Sequence, residues 1–180
     1  ILNQKIQVSG LENVPLTGPL LVVSNHKSYT DGFSIMQTFP RPITLTPKIS
    51  VLKIPFLRLW LRAYDVFPID RKNARNTYRA LERAVTTIQN EHAMLIFPEG
   101  TIRYKHEETI TNIKSGTFKL ALQARADILP VKINAQGFVQ KRWPRLTKHT
   151  ITFLPSIAYS DFENLSTQDI AAQVMQLLNQ

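Results

Sequence analysis

The feature that most constrains the fold is the alternation of short apolar runs with amphipathic helical patterns. Six runs are rich in Val, Ile, Leu or Phe and bounded by Pro, Asn, Asp or Gly, which is typical of strands: 20–24, 43–46, 66–69, 93–97, 128–133 and 151–154. Residues 5–8 are a candidate edge strand. Several runs do not alternate between apolar and polar residues, which indicates strands buried on both faces of a largely parallel sheet.

Helical patterns fill the gaps between these runs. Apolar residues recur every three or four positions at Tyr78, Leu81, Val85 and Ile88, and again from Ile170 to Leu178, where Ser166 or Thr167 is the expected N-cap. Residues 114–125 and 31–38 are further expected helices. We therefore predict an α/β fold: a single domain over residues 1–180, with a mixed, mostly parallel sheet of about six or seven strands and helices on both faces.

The net charge, the absence of cysteine and the length of the apolar runs exclude several classes of function. The 180 residues carry a formal net charge of +9, which favours an anionic partner: nucleic acid, an anionic membrane surface, or an acidic protein or substrate. No Cys is present, so thiol catalysis and cysteine-ligated metals are excluded. No apolar run approaches the roughly 18 residues of a membrane-spanning helix. The chain begins at Ile1 rather than Met, so we expect that an N-terminal segment has been removed.

The first candidate site is the segment Asn25-His26-Lys27-Ser28-Tyr29-Thr30-Asp31, which follows the 20–24 strand and opens a helix. Asp31 can accept a hydrogen bond from one imidazole nitrogen of His26 and fix its tautomer, which leaves the other nitrogen as a base. Taken alone, the segment is more often a helix capped by Asn25, Ser28 or Thr30 with a surface histidine.

Two further segments place polar groups after strands. Phe97-Pro98-Glu99-Gly100-Thr101 ends the 93–97 strand; Gly100 permits a tight turn, and Glu99 can accept a bond from a substrate hydroxyl or organise the loop. Arg71, after the 66–69 strand, can bind a phosphate with two parallel hydrogen bonds or pair with an acid such as Asp70. Lys48 and Lys114 are additional cations for a phosphate site.

Other motifs are missing from the sequence. There is no Gly-x-Ser-x-Gly nucleophile elbow, no glycine-rich phosphate loop and no His-Glu-x-x-His. His92, His106 and His149 are scattered along the chain. We therefore predict no metal site and no nucleotide-binding loop.

Taken in order, these segments resemble the motifs of the glycerolipid acyltransferase family, and within it the bacterial 1-acyl-sn-glycerol-3-phosphate acyltransferases. The first family motif, Asn-His-x-Ser-x-x-Asp, is matched at Asn25, His26, Ser28 and Asp31; the second ends in Asp70-Arg71. The third is matched from Phe97 to Thr101, and the proline of the fourth is Pro130. The resemblance runs from Val8 to the strand after Val131. Two positions depart from it: Ile102 precedes Arg103 where the family has Arg directly after Thr, and Asp65 replaces a common Gly.

The resemblance implies a mechanism and a set of substrate contacts. His26, oriented by Asp31, would remove a proton from a glycerol hydroxyl, which attacks an acyl thioester directly. The expected phosphate ligands are Lys48, Arg71 and Arg103, and the expected contacts to the glycerol region are Glu99, Gly100 and Thr101. No cofactor is expected; the acyl donor would be acyl-CoA or acyl carrier protein, and the acceptor a lysophospholipid.

Two surfaces are candidates for contact with a membrane or a partner. Residues 51–62 (VLKIPFLRLWLR) mix large apolar side chains with Lys53, Arg58 and Arg62, which suits a segment in the bilayer interface as well as a packed helix with charges reaching solvent. Arg71, Arg75, Arg79 and Arg83 recur every four residues; this stripe is either a solvated face or a dock for acyl carrier protein or anionic lipid. We expect peripheral attachment to the cytoplasmic face of the cell membrane.

Three alternatives remain at the level of sequence. The same family motifs fit another acceptor, such as glycerol-3-phosphate, another lysophospholipid or an ornithine lipid. A basic nucleic-acid-binding module fits the charge, but the chain lacks a known nucleic-acid motif and has few aromatic residues among its basic clusters, so no nucleic acid is expected. A membrane-binding protein without catalysis is disfavoured because His26 and Asp31 are both present.

Overall fold

The described part of the chain is built on one six-stranded sheet. The computed structural model describes residues 4–28, 30–47, 49–53, 58, 61, 66, 68, 74–102, 109–136 and 147–180. The strands are β1 (Gln4–Ser9), β2 (Leu20–Ser24), β3 (Ile43–Leu45), β4 (Ala93–Ile96), β5 (Asp127–Gln136) and β6 (Thr147–Phe153). Their order in the sheet is β1-β6-β5-β2-β4-β3. Every pairing is parallel except that of β5 with β6, so the predicted mixed, mostly parallel sheet is confirmed.

Helices cover both faces of this sheet, as predicted. The α-helices whose bounds the structure describes are α1 (Asp31–Thr38), α2 (Ala74–Gln89), α3 (Lys119–Ala124), α4 (Tyr159–Phe162) and α5 (Thr167–Asn179). Alternate residues of β2 face opposite layers: Leu21 and Val23 pack with buried residues of α2, α3 and α5, whereas Leu20 and Val22 pack with Ile35 of α1. All five β2 residues are buried, which explains why the run does not alternate.

The elements agree with the predicted pattern in most places. The edge strand at 5–8 is confirmed within β1, and Ser166 is the N-cap of α5, where its hydroxyl oxygen accepts from the Asp169 N–H. The expected helix over 114–125 begins as a 3-10 turn at Ser115–Phe118 and becomes α3 only at Lys119. Ser, Gly and Thr in that first turn are weak helix formers.

The strand predicted at 66–69 is wrong at the two of its residues that the structure describes. Val66 and Pro68 lie outside any strand, and residues 67 and 69 are outside the described part. Proline has no N–H to donate to a neighbouring strand, so the apolar run cannot form a full ladder there.

The loop after β1 requires glycine at one position. Gly10 has φ of 75°, and a Cβ built on it would lie 2.0 Å from the Phe153 carbonyl oxygen at the end of β6. Asn13 donates to that same oxygen at 2.9 Å. The loop therefore closes tightly over the end of β6, because Gly10 carries no side chain.

None of the helices in the described ranges combines the length and the apolar character needed to cross a bilayer.

The described parts of residues 51–62 fit both expectations for that segment, namely a segment lying in the bilayer interface and a packed helix whose charges reach solvent. Ile49–Lys53 form a 3-10 helix, Lys53 and Arg58 are exposed, and Leu61 is buried. The extension of one domain over all of residues 1–180 stays a prediction.

Candidate active site

The candidate site lies where two central parallel strands end side by side. β2 and β4 are neighbours with Val23 opposite Ile96, so the chain leaves both strands at the same level. The segment after β2 leads into α1, and the segment after β4 is the 97–101 turn. The carboxyl ends of parallel strands are where open α/β sheets place their ligands. The first and third sequence motifs are therefore brought together, as their positions after strands predicted.

Asn25 fixes the path of the chain as it leaves β2. Its side-chain Nδ2 donates to the Ile133 carbonyl oxygen at 2.8 Å, and its Oδ1 accepts from the Ile133 N–H at 2.7 Å. This buried amide thus continues the β2–β5 pairing past Ser24 and Val131, where the backbone pairing stops. It does not cap α1, which was one of the alternatives considered for it.

His26 and Asp31 form a hydrogen-bonded pair. Nδ1 of His26 lies 3.1 Å from Oδ2 of Asp31, and the two side chains are 18% and 0% exposed. The carboxylate can only accept, so the Nδ1 carries the proton and the lone pair of the neutral ring is on Nε2. Within the described ranges, no group bonds to Nε2. The arrangement is that of a general base with its tautomer fixed by a carboxylate.

The turn that carries this pair is organised by the same carboxylate oxygen. Asp31 Oδ2 also accepts from the backbone N–H groups of Lys27 and Ser28, each at 2.6 Å. Neither Ser28 nor Thr30 caps α1 with its side chain, which was the alternative considered for them. The Ser28 hydroxyl oxygen accepts from the Thr30 N–H, and Thr30, which precedes α1, makes no capping bond. Asp31 is thus both the first residue of α1 and the acceptor that closes the turn.

The 97–101 segment forms the tight turn that its sequence predicted. Gly100 has φ of 71°, and its N–H donates to the Phe97 carbonyl oxygen at 3.0 Å. The Lys114 N–H donates to the Pro98 carbonyl oxygen at 3.0 Å, which ties the start of the α3 region to this turn. Glu99 is buried at 8% exposed, and its Oε1 accepts from the His26 N–H at 2.8 Å. The third motif therefore contacts the first directly.

Burial raises the pKa of the Glu99 carboxyl above its ordinary value. The bond from the His26 N–H and the positive charge of Lys27 act in the opposite direction but are smaller than the desolvation effect. Lys27 is itself 8% exposed. A buried carboxylate and a buried lysine thus lie next to the predicted base.

The Glu99→Gln variant is expected to have a higher free energy of unfolding than the wild type at pH 7. The raised pKa means that the native state binds protons more strongly than the unfolded chain, so stability falls as the pH rises from the ordinary value of 4.5 through the native value. Glutamine removes this penalty. Urea unfolding at pH 7 and at pH 4 should show a difference between the two proteins that closes at the lower pH.

The exposed Glu82 of α2 provides the control for that measurement. Glu82→Gln should change the free energy of unfolding much less than Glu99→Gln does at pH 7, because the Glu82 side chain is exposed to solvent. Equal stability of Glu99→Gln and the wild type at pH 7 would contradict the assignment of a buried, charged Glu99.

The structure describes five of the eight predicted site residues. His26, Asp31, Glu99 and Gly100 meet in the geometry given above, and Thr101 is half-buried beside them. The three predicted phosphate ligands are outside the described residues: Lys48, Arg71 and Arg103. The catalytic roles of His26 and Asp31 and the substrate contacts of the other six residues stay predictions.

Two residues of the site were matched as motif positions without the contacts that the structure gives them. The only structural role considered for Asn25 was that of a cap, whereas its amide pairs with Ile133 of β5. The aromatic ring of Phe97 stacks on the His26 imidazole with a centroid distance of 4.1 Å and an interplanar angle of 17°. The available signal was that Phe97 ends a predicted strand, just as the segment that carries His26 directly follows one.

The structure describes some of the remaining predicted cations. Arg79 and Arg83 of α2 are exposed. Arg71 and the side chain of Arg75 are outside the described part of the structure. Lys114 is exposed at the surface next to the Pro98 turn. The proposed docking role of the arginine stripe stays a prediction.

The comparisons with known proteins all match this chain to acyltransferases. The Acyltransferase family model matches residues 5–134. A 1-acyl-sn-glycerol-3-phosphate acyltransferase of Borreliella burgdorferi is 33% identical over 138 residues, which are 76% of this chain and 54% of the relative. The enzyme of that name from Saccharomyces cerevisiae is 31% identical over 135 residues, or 74% of this chain and 44% of the relative. The alpha enzyme of Mus musculus is 30% identical over 173 residues, or 93% and 59%.

A solved structure shares the fold. The crystal structure of the 1-acyl-sn-glycerophosphate acyltransferase of Thermotoga maritima superposes with a TM-score of 0.76 at 22% identity, covering 99% of this chain and 70% of that one. The chain spans about half the length of the curated relatives it matches.

Proposed function

The chain belongs to the acyltransferase family, and we propose that it transfers a fatty acyl group from an acyl thioester to the sn-2 hydroxyl of 1-acyl-glycerol-3-phosphate, which gives phosphatidate. The observation that carries this proposal is the His26–Asp31 pair at the carboxyl end of β2, with Nε2 unbonded within the described ranges. Relatives named as 1-acyl-sn-glycerol-3-phosphate acyltransferases support the choice of acceptor.

The reaction proceeds in one step of acyl transfer without a covalent enzyme intermediate. Nε2 of His26 takes the proton of the acceptor hydroxyl as its oxygen attacks the thioester carbonyl carbon. The carbon–sulfur bond then breaks, and the thiolate leaves with the proton that the imidazolium returns. Asp31 keeps the ring oriented and stabilises its positive charge while the proton resides there. A positioned general base of this kind contributes about 10²–10⁴ in rate.

The substrate contacts follow from the motif positions. Lys48, Arg71 and Arg103 bind the acceptor phosphate, for which guanidinium groups offer paired N–H donors. Glu99, Gly100 and Thr101 contact the glycerol region, which the proximity of Glu99 to His26 supports. Holding the hydroxyl near Nε2 supplies much of the remaining acceleration, because orientation removes entropy from the barrier.

The remaining parts of the proposal concern the co-substrate and the place of action. The donor is acyl-CoA or acyl carrier protein, and no cofactor takes part. The acceptor and product are lipids, and the net charge of +9 favours an anionic surface. We therefore place the protein peripherally on the cytoplasmic face of the cell membrane.

The direct test is acyl transfer from a radiolabelled acyl thioester, with vesicles present, to a panel of acceptors. We expect phosphatidate from 1-acyl-glycerol-3-phosphate, and little product from the matching 1-acyl-glycerol, which lacks the phosphate. Faster transfer to glycerol-3-phosphate or to a lysophospholipid with a larger headgroup would keep the reaction class and replace the acceptor. Absence of transfer to every member of the panel would overturn the proposal.

A further inference from the structure

Two residues of the turn after β4 contact His26 at two different points. The ring of Phe97 stacks face to face on the imidazole at 4.1 Å, and the carboxylate of Glu99 accepts from the His26 backbone N–H at 2.8 Å. The contact of Asp31 with Nδ1 is a third, from the opposite end of the same motif. The side chain and the backbone of His26 are thus held by separate groups.

The fold explains why both contacts come from one neighbouring strand. β2 and β4 are adjacent and parallel, with Val23 opposite Ile96, so the residues that follow them emerge together. Phe97 is the first residue after β4, and the start of α1 is close to its ring, since a Cβ built on Gly32 would lie 3.9 Å from Phe97 Cε2. The Phe97 ring therefore fills the space between the end of β4, α1 and the imidazole.

The bond from the His26 backbone N–H to Glu99 is also held in place by the surrounding structure. Glu99 is buried, and the turn that carries it is closed by the bond from the Gly100 N–H to the Phe97 carbonyl and supported by the Lys114 N–H on Pro98. A rigid turn with a buried acceptor fixes the backbone at His26 in a way that a mobile loop cannot. A displacement of about 1 Å at a reacting group can cost about 100-fold in rate, so such contacts affect catalysis without touching the substrate.

We infer that Phe97 and Glu99 are positioning residues, which orient the ring and the backbone of His26 so that Nε2 faces the acceptor hydroxyl. This inference rests on the proposed function, in which His26 is the base. It gives Glu99 a role besides the predicted contact with glycerol. The two roles differ in what they change: loss of positioning lowers kcat, whereas loss of a ground-state contact raises KM for the acceptor.

The test compares Phe97→Leu and Glu99→Ala with two matched controls. Phe39→Leu removes a ring from the core just after α1, where its centroid lies 5.9 Å from that of Phe153. Glu82→Ala removes an exposed carboxylate of α2. We expect each test variant to lose about tenfold or more in kcat with KM for the acceptor changed less than about twofold, and the controls to keep both constants.

Conservative variants provide a second criterion. Phe97→Tyr keeps a stacking ring, and Glu99→Gln keeps a side-chain oxygen for the His26 N–H, so both should recover most of the kcat lost by Leu and Ala. Unchanged kcat in Phe97→Leu and Glu99→Ala would overturn the inference. So would a raised KM with unchanged kcat in Glu99→Ala, which would leave Glu99 with only a substrate contact.

A measurement on the free protein separates this inference from the proposed function. A phenyl ring stacked on His26 shifts the imidazole proton resonances upfield, and in Phe97→Leu these resonances should return towards their usual positions and broaden as the ring becomes mobile. If the wild type transfers no acyl group to any acceptor, the proposed function fails, and this spectrum then decides whether Phe97 orients the His26 ring. Identical His26 resonances in the wild type and Phe97→Leu would overturn it.

Discussion

Replacement of His26 by alanine is expected to lower kcat for acyl transfer by about 10²–10⁴, with little change in KM for either substrate. The imidazole is the group that receives the hydroxyl proton in the proposed reaction, and alanine offers no group in its place. The fold should survive, because the side chain is partly exposed and its main bonds are to Asp31 and, through the backbone, to Glu99. Initial rates over a range of both substrates check the prediction.

The matched control is His92→Ala. His92 is exposed and precedes β4, so it lies at the end of the sheet opposite the candidate site, where its Nδ1 is 3.0 Å from the Asn90 carbonyl oxygen. This variant should keep both kinetic constants. Equal rates for the wild type and His26→Ala would exclude His26 as the base, whereas loss of activity in both histidine variants would indicate a general effect on the protein.

The parts of the molecule that the sequence predicted well are those determined by local patterns. The run at 20–24 is apolar at every position except its last, and it is the buried central strand β2. The helix after His26 begins at Asp31 and the C-terminal helix begins after Ser166, where polar residues precede an apolar pattern. Such signals lie within one segment and need no knowledge of its neighbours.

The parts that the sequence could not predict depend on residues far apart in the chain. The amide of Asn25 bonds to Ile133, 108 positions away, and Glu99 bonds to the His26 N–H, 73 positions away. The stacking of Phe97 on His26 follows from the order of β2 and β4 in the sheet, which no local pattern contains. The motifs thus indicated which segments carry the chemistry, while the tertiary fold decides which atoms meet.

Replacement of Asp31 separates the chemical role of this residue from its structural one. Asp31→Ala leaves the buried N–H groups of Lys27 and Ser28 without their acceptor, at a cost of about 1–3 kcal/mol for each. Asp31→Asn keeps an oxygen for those donors but removes the charge that stabilises the imidazolium. We therefore expect a clear loss of stability only in the alanine variant, and a fall in kcat on the order of 10²–10⁴ in both. Urea unfolding and steady-state rates measure the two effects.

The double variant His26→Ala/Asp31→Asn then tests whether Asp31 acts through His26. If it does, adding Asp31→Asn to His26→Ala lowers kcat little further, because the group that Asp31 orients is already absent. The control Asp161→Asn changes an exposed acid in α4 and should leave stability and rates unaltered. Multiplicative losses in the double variant would show that Asp31 contributes to catalysis independently of His26, and full activity in Asp31→Asn would mean that the charge of Asp31 is not needed to keep Nε2 available as the base.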